Sequence, residues 1–354
     1  MKNYKGKIVA KDRVFDGYLT IEKSEITYVG ESAPQGQIMD CGDNYITPGL
    51  IDIHCHSSLK FSARENPFEV SDFHLSHGVT SMLLTFYKDT PHQKLLECLE
   101  QVKECAKTKR NIIGAHLEGP YINGNLGYCD GKRVNILPDK TQYSQYIASG
   151  VVKQWTFAPE LNGVIPVIKE VSEMGIVPAL GHSEATYSQV KSAYDNGAKI
   201  VTHIFDATGL TDNAEFAGTK DLSFDNAVML MDDMYYEVIC DGEWVHVRKE
   251  MLDLLIKTVG IDRVVAITDL DICDSDDDDR DIAVANGQLA GTKLTLDKVV
   301  YNLFVAGYKI YDIFKMVALN PAKAINLFDR GELAVGKRAD ACLFDKTMKF
   351  IKVL

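Results

Sequence analysis

The stretch Tyr45-Ile-Thr-Pro-Gly-Leu-Ile-Asp-Ile-His54-Cys-His56 leaves a Pro-Gly turn, runs through apolar residues from Leu50 to Ile53, and ends in His-x-His. An apolar run bounded by such a turn reads as a strand. Side chains alternate along a strand, so His54 and His56 share a face. Neutral imidazoles are the commonest side-chain ligands for zinc and related divalent metals. Two of them at one strand end make half of a metal site, or simply a strand end that carries two histidines. The rest of the chain decides between these.

Downstream, apolar strand-like runs alternate with helical patterns. The strand candidates are Leu50–His56, Thr80–Phe86, Ile112–Glu118, Val152–Pro159, Ile176–His182, Lys199–Phe205, Tyr236–Asp241 and Arg263–Asp269. Helical periodicity marks Glu69–His77, Pro91–Lys107, Val164–Met174, Ala185–Asn196, Val245–Val259 and Lys298–Ala306. Alternating elements imply a parallel sheet, and eight repeats imply a closed (β/α)₈ TIM barrel, with a doubly wound open sheet as the alternative. The tail Tyr311–Leu327 reads as one or two more helices, broken at Asn320-Pro321.

The two ends have a different texture. Lys7-Ile-Val-Ala, Gly17-Tyr-Leu-Thr-Ile and Glu25-Ile-Thr-Tyr-Val alternate with period two, and so do Ala341-Cys-Leu-Phe and Lys349-Phe-Ile-Lys-Val-Leu. Neither end is long enough to hold a core alone. The expectation is a small β-sandwich domain formed by both termini, residues 1–47 plus 335–354, beside a barrel over 48–334.

A chain of 354 residues can bury a large core, and a formal net charge of −12 argues against nucleic acid or an anionic membrane as the main partner. The eight cysteines include no C-x-x-C pair and sit mostly in apolar runs, which suits a reducing cytoplasm. No apolar segment follows the basic N-terminus, so no signal peptide is expected, and no apolar run reaches membrane-spanning length.

Metal-binding residue types cluster at the C-terminal ends of the expected strands, where a barrel places its active site. His54 and His56 end the first, and His116-Leu-Glu118 ends the third. His182 ends the fifth, His203 follows Thr202 on the sixth, and Asp269 ends the eighth. Imidazoles with one carboxylate leave open positions on a divalent metal, as hydrolytic sites require. A carboxylate beside metal-activated water can take its proton, and Asp269 is the candidate for that base and for the acid that later protonates a leaving amine. The implied reaction is hydrolysis of an amide or similar carbonyl compound. His74, His77 and His92 lie away from the strand ends and read as packing or surface residues.

The order His-x-His, Glu, His, His, Asp resembles the amidohydrolase superfamily, and within it the N-acetylglucosamine-6-phosphate deacetylases. The matching segments run from Pro48-Gly-Leu-Ile-Asp-Ile-His-Cys-His through His116-Leu-Glu-Gly-Pro-Tyr, Gly181-His-Ser-Glu-Ala-Thr-Tyr, Thr202-His-Ile-Phe-Asp-Ala207, Cys240-Asp-Gly and Ile267-Thr-Asp269. They continue to Leu289-Ala-Gly-Thr292, Asn320-Pro-Ala-Lys-Ala and Gly336-Lys-Arg-Ala-Asp. The resemblance implies that Glu118, His182 and His203 bind the main metal and that His54 and His56 hold a second, with Glu118 shared. One or two divalent ions are therefore expected: zinc, with iron, manganese or cobalt as alternatives. It also implies that Asp269 is the catalytic acid/base, that Asp206, Ala207, Leu289, Ala290 and Gly291 contact an N-acetylated small-molecule substrate, and that the protein is a homodimer.

The departures bear on the substrate. Where the family has a substrate-contacting His after Glu-Gly-Pro, this chain reads Asn123-Gly-Asn-Leu-Gly-Tyr-Cys-Asp. Where the family has a phosphate-holding Arg, it reads Thr211-Asp-Asn-Ala-Glu-Phe-Ala-Gly218. Trp244 stands where the Asp-Gly-x-His turn has its His; its face could pack in the core or stack on a sugar. The acidic run Asp274-Ser-Asp-Asp-Asp-Asp-Arg-Asp281 follows Asp269. It reads either as a solvated loop or as a rim that repels phosphate. Two enzymatic expectations follow: a deacetylase acting on an amino-sugar phosphate, or a related enzyme acting on a non-phosphorylated N-acyl amine. On the second, phosphosugar turnover is poor unless Lys132 and Arg133 replace the missing charges. A silent binding protein on the same scaffold is the third expectation, and the complete ligand set argues against it.

Overall fold

The structure, a computed structural model, describes residues 1–128, 134–209, 219, 221–272 and 280–354. Lys132, Arg133, the Arg-free stretch 211–218 and most of the acidic run (274–279) lie outside the described residues. The N-terminal strands are β1 (Lys2–Val9), β2 (Val14–Glu22), β3 (Glu25–Gly30) and β4 (Ile38–Pro48). The barrel strands are β5 (Leu50–Asp52), β6 (Val79–Tyr87), β7 (Ile112–Glu118), β8 (Val152–Phe157), β9 (Val177–Leu180), β10 (Ile200–Val201), β11 (Tyr235–Ile239) and β12 (Val264–Ile267). A hairpin of β13 (Ile282–Ala285) and β14 (Gln288–Thr292) follows, and the chain ends with β15 (Ala341–Phe344) and β16 (Phe350–Val353).

All eight expected barrel strands form, in sequential order and parallel throughout. Six of them end before the apolar runs do, whereas β6 runs to Tyr87 and β7 ends at Glu118 as expected; β5 stops at Asp52, so His54 and His56 lie just past it. Closure between the first and last strands is made beyond their ends. Asp269 N–H donates to the His54 carbonyl, and His56 N–H donates to the Leu270 carbonyl, both at 3.0 Å. Below these, the buried Thr268 hydroxyl donates to the buried Asp52 carboxylate at 2.7 Å.

Helices cover the barrel where periodicity placed them, for example Pro67–Ser76, His92–Thr108, Val164–Glu173 and Lys249–Val259. Their apolar faces pack on the strands' outer side chains, such as Leu84, Trp155 and Val238, in one large core. The short helices Lys140–Ala148 and Phe224–Met229 and the β13–β14 hairpin had no strong periodic signal. Inside the barrel, Ile51, Leu83, Val177, Ile200 and Val265 form an apolar layer with Ala322, Ala324 and Ile325. The helix Asn320–Ala324 therefore plugs the end of the barrel opposite the strand C-termini, and Asn320 donates to the carbonyls of Ile261 and Val264. The expected break at Asn320-Pro321 is instead a wide π turn at Lys315–Leu319 that runs straight into this helix. A wider turn just before a proline accommodates the amide that proline lacks.

The two chain ends meet in one six-stranded sheet ordered β16-β15-β4-β1-β2-β3. Its inner face carries Tyr4, Ile8, Leu19, Ile26, Ile46 and Leu343. Only Gly49 separates β4 from the barrel. A Cβ there would sit 2.2 Å from the Thr80 hydroxyl, so glycine is required for this close passage. No helix among the described residues is long and apolar enough to cross a membrane.

The seam gives the first prediction. Thr268→Val keeps the side-chain shape but takes a hydrogen bond from buried Asp52, and should cost about 1–3 kcal/mol of stability. A thermal-unfolding midpoint equal to that of the parent protein would refute a structural role for this contact.

Candidate metal centre

The barrel's polar residues lie above its apolar layer. Glu118 is the last residue of β7, while His54, His182, His203 and Asp269 each lie two residues beyond the ends of β5, β9, β10 and β12. Two residues is one full alternation of a strand, so Asp269 keeps the inward direction of Ile267, whereas Leu180 and Val201 face the outer core and the backbone must turn after them to bring His182 and His203 inward. His182 (φ 46°), His203 (φ 25°) and Asp269 (φ 46°) have left-handed backbone, which costs free energy for a residue with a Cβ and is typical of functional sites.

These side chains converge on one point. Glu118 Oε1 lies 2.8 Å from His182 Nε2 and 3.0 Å from His203 Nε2, and Oε2 lies 3.2 Å from His56 Nε2. His54 Nε2 is 3.5 Å from Glu118 Oε1, and Asp269 Oδ1 is 3.3 Å from both His54 Nε2 and His56 Nε2. The imidazole nitrogens also face each other, His182 to His203 at 3.1 Å and His54 to His56 at 3.3 Å. Nitrogen lone pairs aimed at one another at that range repel unless a proton or a cation lies between them. Ligand atoms around one zinc-sized ion, each about 2.0–2.2 Å from it, fall at comparable mutual separations. The donor set therefore fits one divalent ion between Glu118, His182 and His203, and another between His54, His56 and Glu118.

The second ring nitrogens show how three of these imidazoles are held. His54 Nδ1 is 3.0 Å from Glu237 Oε2, whose other oxygen accepts from Gln154 at 2.6 Å. His182 Nδ1 is 3.3 Å from the Leu126 carbonyl, and His203 Nδ1 is 3.3 Å from the Asp206 carbonyl. Gly127 brings its loop onto His182; a Cβ at this position would lie 2.7 Å from the imidazole. His116 does not reach the cluster. It sits buried beneath His54, between the hydroxyls of Thr85 and Thr156, and burial pushes its pKa well below the usual histidine value.

An open cavity of about 500 Å³ lies over the cluster. It is lined by His56, Glu118, His182, His203 and Asp269, together with the expected Asp206, Ala207, Leu289, Ala290 and Gly291. Trp244 is not part of this lining; it packs, half-buried, against the main core, on a turn whose Asp241 carboxylate accepts from the backbone of Val245 and His246. Other contributors escaped the sequence reading, among them Gly127 and Tyr128 of the cavity wall. Tyr87 and Asp271 line the cavity, and Glu237 lies buried on β11 behind His54. Glu237 did leave a signal, a lone charge within the apolar strand Tyr235-Tyr-Glu-Val-Ile. His74, His77 and His92 make packing contacts, as expected: His74 to Ser57, His77 to Phe73, and His92 to Tyr146.

Residues 45–353 match the amidohydrolase family. The N-acetylglucosamine-6-phosphate deacetylase of Lysinibacillus sphaericus is 25% identical over 85% of this chain and 82% of its own length. The protein of the same name from Bacillus subtilis is 25% identical over 97% and 93%. The solved N-acetylglucosamine-6-phosphate deacetylase of Thermotoga maritima superposes with a TM-score of 0.83 at 27% identity, over 99% of this chain and 97% of that one.

The electrostatics give the second prediction. Burial alone would lower the pKa of His56 and His203, but the carboxylates of Glu118 and Asp269, with Asp206 near His203, outweigh it and push both up to about 9. Burial likewise opposes ionisation of Asp269 and Glu118, yet the surrounding imidazoles hold both carboxyls below their ordinary values. Without metal the cluster thus stores protons, and an incoming cation must displace them. Metal affinity should fall as the pH falls, by about ten- to a hundredfold per unit for one or two displaced protons. Chelator competition across the neutral range checks this, and a flat profile would contradict it.

Proposed function

The chain belongs to the amidohydrolase family, and on that footing we propose that it is a metal-dependent deacetylase that hydrolyses the N-acetyl amide of an amino sugar to acetate and a free amine. The reading is supported by curated relatives named N-acetylglucosamine-6-phosphate deacetylase that align with most of the chain. The observation that carries it is Glu118, whose two oxygens face imidazoles from three other strands with Asp269 at the edge of the same cluster.

In this reading Glu118, His182 and His203 hold the principal ion, and His54 with His56 supports a second that shares Glu118. Zinc is the proposed metal, since imidazole and carboxylate ligands that leave a position open to the cavity suit it; iron, manganese and cobalt are the alternatives. Divalent metal bound there supplies Lewis acidity toward the acetyl carbonyl and makes water more acidic. Asp269 remains a carboxylate at neutral pH, because the imidazoles around it favour its charged form. It takes the proton of the attacking water and later delivers it to the departing nitrogen, without which the amine is a poor leaving group. Asp206, Ala207 and the Leu289–Gly291 segment shape the wall against which the sugar is placed. A cytoplasmic homodimer completes the proposal.

Two measurements test this. Purified protein loaded with zinc should release acetate from N-acetylglucosamine 6-phosphate, assayed beside the unphosphorylated sugar, and should lose that activity on exhaustive chelation. Release from neither sugar, or full activity without metal, would overturn the reading. Asp269→Asn should keep its metal and lose at least about 10²-fold in kcat. Unchanged turnover in this variant would remove Asp269 from the proton transfer.

A further inference from the structure

Metal-binding histidines are usually fixed by a hydrogen bond from their second ring nitrogen, which sets both tautomer and ring plane. His54, His182 and His203 follow that pattern, through Glu237, Leu126 and Asp206. His56 does not. Its Nδ1 is buried and has no hydrogen-bond partner among the described residues. Its ring instead lies flat on Tyr87, with centroids 3.9 Å apart and planes within 2° of parallel.

Tyr87 is itself held. It is the last residue of β6, so its backbone is set by the barrel sheet, where it pairs with Glu118 on β7. The Arg64 guanidinium carbon lies 5.3 Å from the centre of the same ring. The Tyr87 hydroxyl faces the Asp271 carboxylate on the other side of the seam. Asp271 in turn is fixed by its backbone, whose N–H donates to the Thr292 carbonyl at 3.0 Å. With its ring plane against Tyr87, His56 cannot rotate one way without driving its edge into the phenol.

We propose that Tyr87 is the positioning residue for His56, its ring face taking over the orienting task that a hydrogen bond performs for the other three histidines. This rests on the reading that His54 and His56 support a second ion. The stack acts on one ligand only, so losing it weakens one of the two ion sites and spares the other. The Tyr87 face does the orienting; its hydroxyl, which meets Asp271, holds Tyr87 and is not needed for the contact with His56.

The test is zinc binding by the metal-free full-length protein, read by chelator competition with total metal counted by elemental analysis. Wild type, Tyr87→Phe, Tyr87→Leu and His56→Ala are compared, with thermal unfolding as a control for folding. Wild type and Tyr87→Phe should each take two ions with similar affinities. Tyr87→Leu should bind its first ion as wild type does and its second about 10- to 100-fold more weakly, the usual loss when an orienting partner is removed. His56→Ala marks the limit of that loss. Retention of the first ion in Tyr87→Leu also reports an intact site. Two ions bound at wild-type affinity by Tyr87→Leu would overturn the proposal, as would equal losses in Tyr87→Phe and Tyr87→Leu, which would assign the effect to the hydroxyl. Uptake of a single ion by wild type, unchanged in His56→Ala, would overturn the two-ion reading and the proposal with it. That outcome is distinct because it appears before any Tyr87 variant is compared.

Discussion

Glu118 is buried, yet it is charged and faces four imidazoles. Taking one carboxylate out of water costs several kcal/mol unless opposite charge compensates it closely. Everything at the top of the barrel supplies that compensation. Strands β5, β9 and β10 each deliver a histidine two residues past their ends, and the segment after β5 delivers a second one. The left-handed backbone at His182, His203 and Asp269 is strain the fold accepts in order to turn those side chains inward. The same charge balance explains why the metal-free cluster holds protons, which a divalent cation would have to displace.

Such a cluster needs a floor and a frame. The floor is polar and then apolar. Thr85, His116, Gln154, Thr156 and Glu237 hydrogen-bond beneath the ligands, and the aliphatic layer with the Asn320–Ala324 plug lies below them. A neutral, desolvated His116 directly under His54 contributes an edge contact, with ring centroids 4.6 Å apart, and adds no further charge. The frame is the seam. The backbone bonds that close the barrel are made by His54, His56, Asp269 and Leu270, so the residues that build the site are also those that join its first and last strands. Closure of the fold and assembly of the site are one event.

The sequence was informative where periodicity or residue type leaves no choice. Eight apolar runs separated by helical patterns specify a closed parallel barrel, because each run is buried on both faces and must be covered by the helix that follows it. His54, His56, Glu118, His182, His203 and Asp269 were visible because a His or an acid at the end of an apolar run stands out. Terminal strands of matching texture pointed to a shared small β domain, since neither end could hold a core alone, and the structure pairs them in one six-stranded sheet. Trp244 shows the limit of this reading: a motif position named it, but its indole packs, half-buried, against the main core and does not line the cavity.

Tertiary structure alone decided what lies between those residues. Tyr87 and Asp271 reach the cavity from strands on either side of the seam, and no local pattern in the sequence relates them. Glu237 was a conspicuous charge on β11 whose partner, His54, lies 183 residues away. That one histidine is held by a ring face while three are held by hydrogen bonds also has no signature in residue order. Chain periodicity records which way each side chain points from its own element, because that depends on a few neighbouring dihedral angles. Which groups then meet at 3 Å depends on how separate strands are staggered around the barrel, and that is set only when all eight have packed.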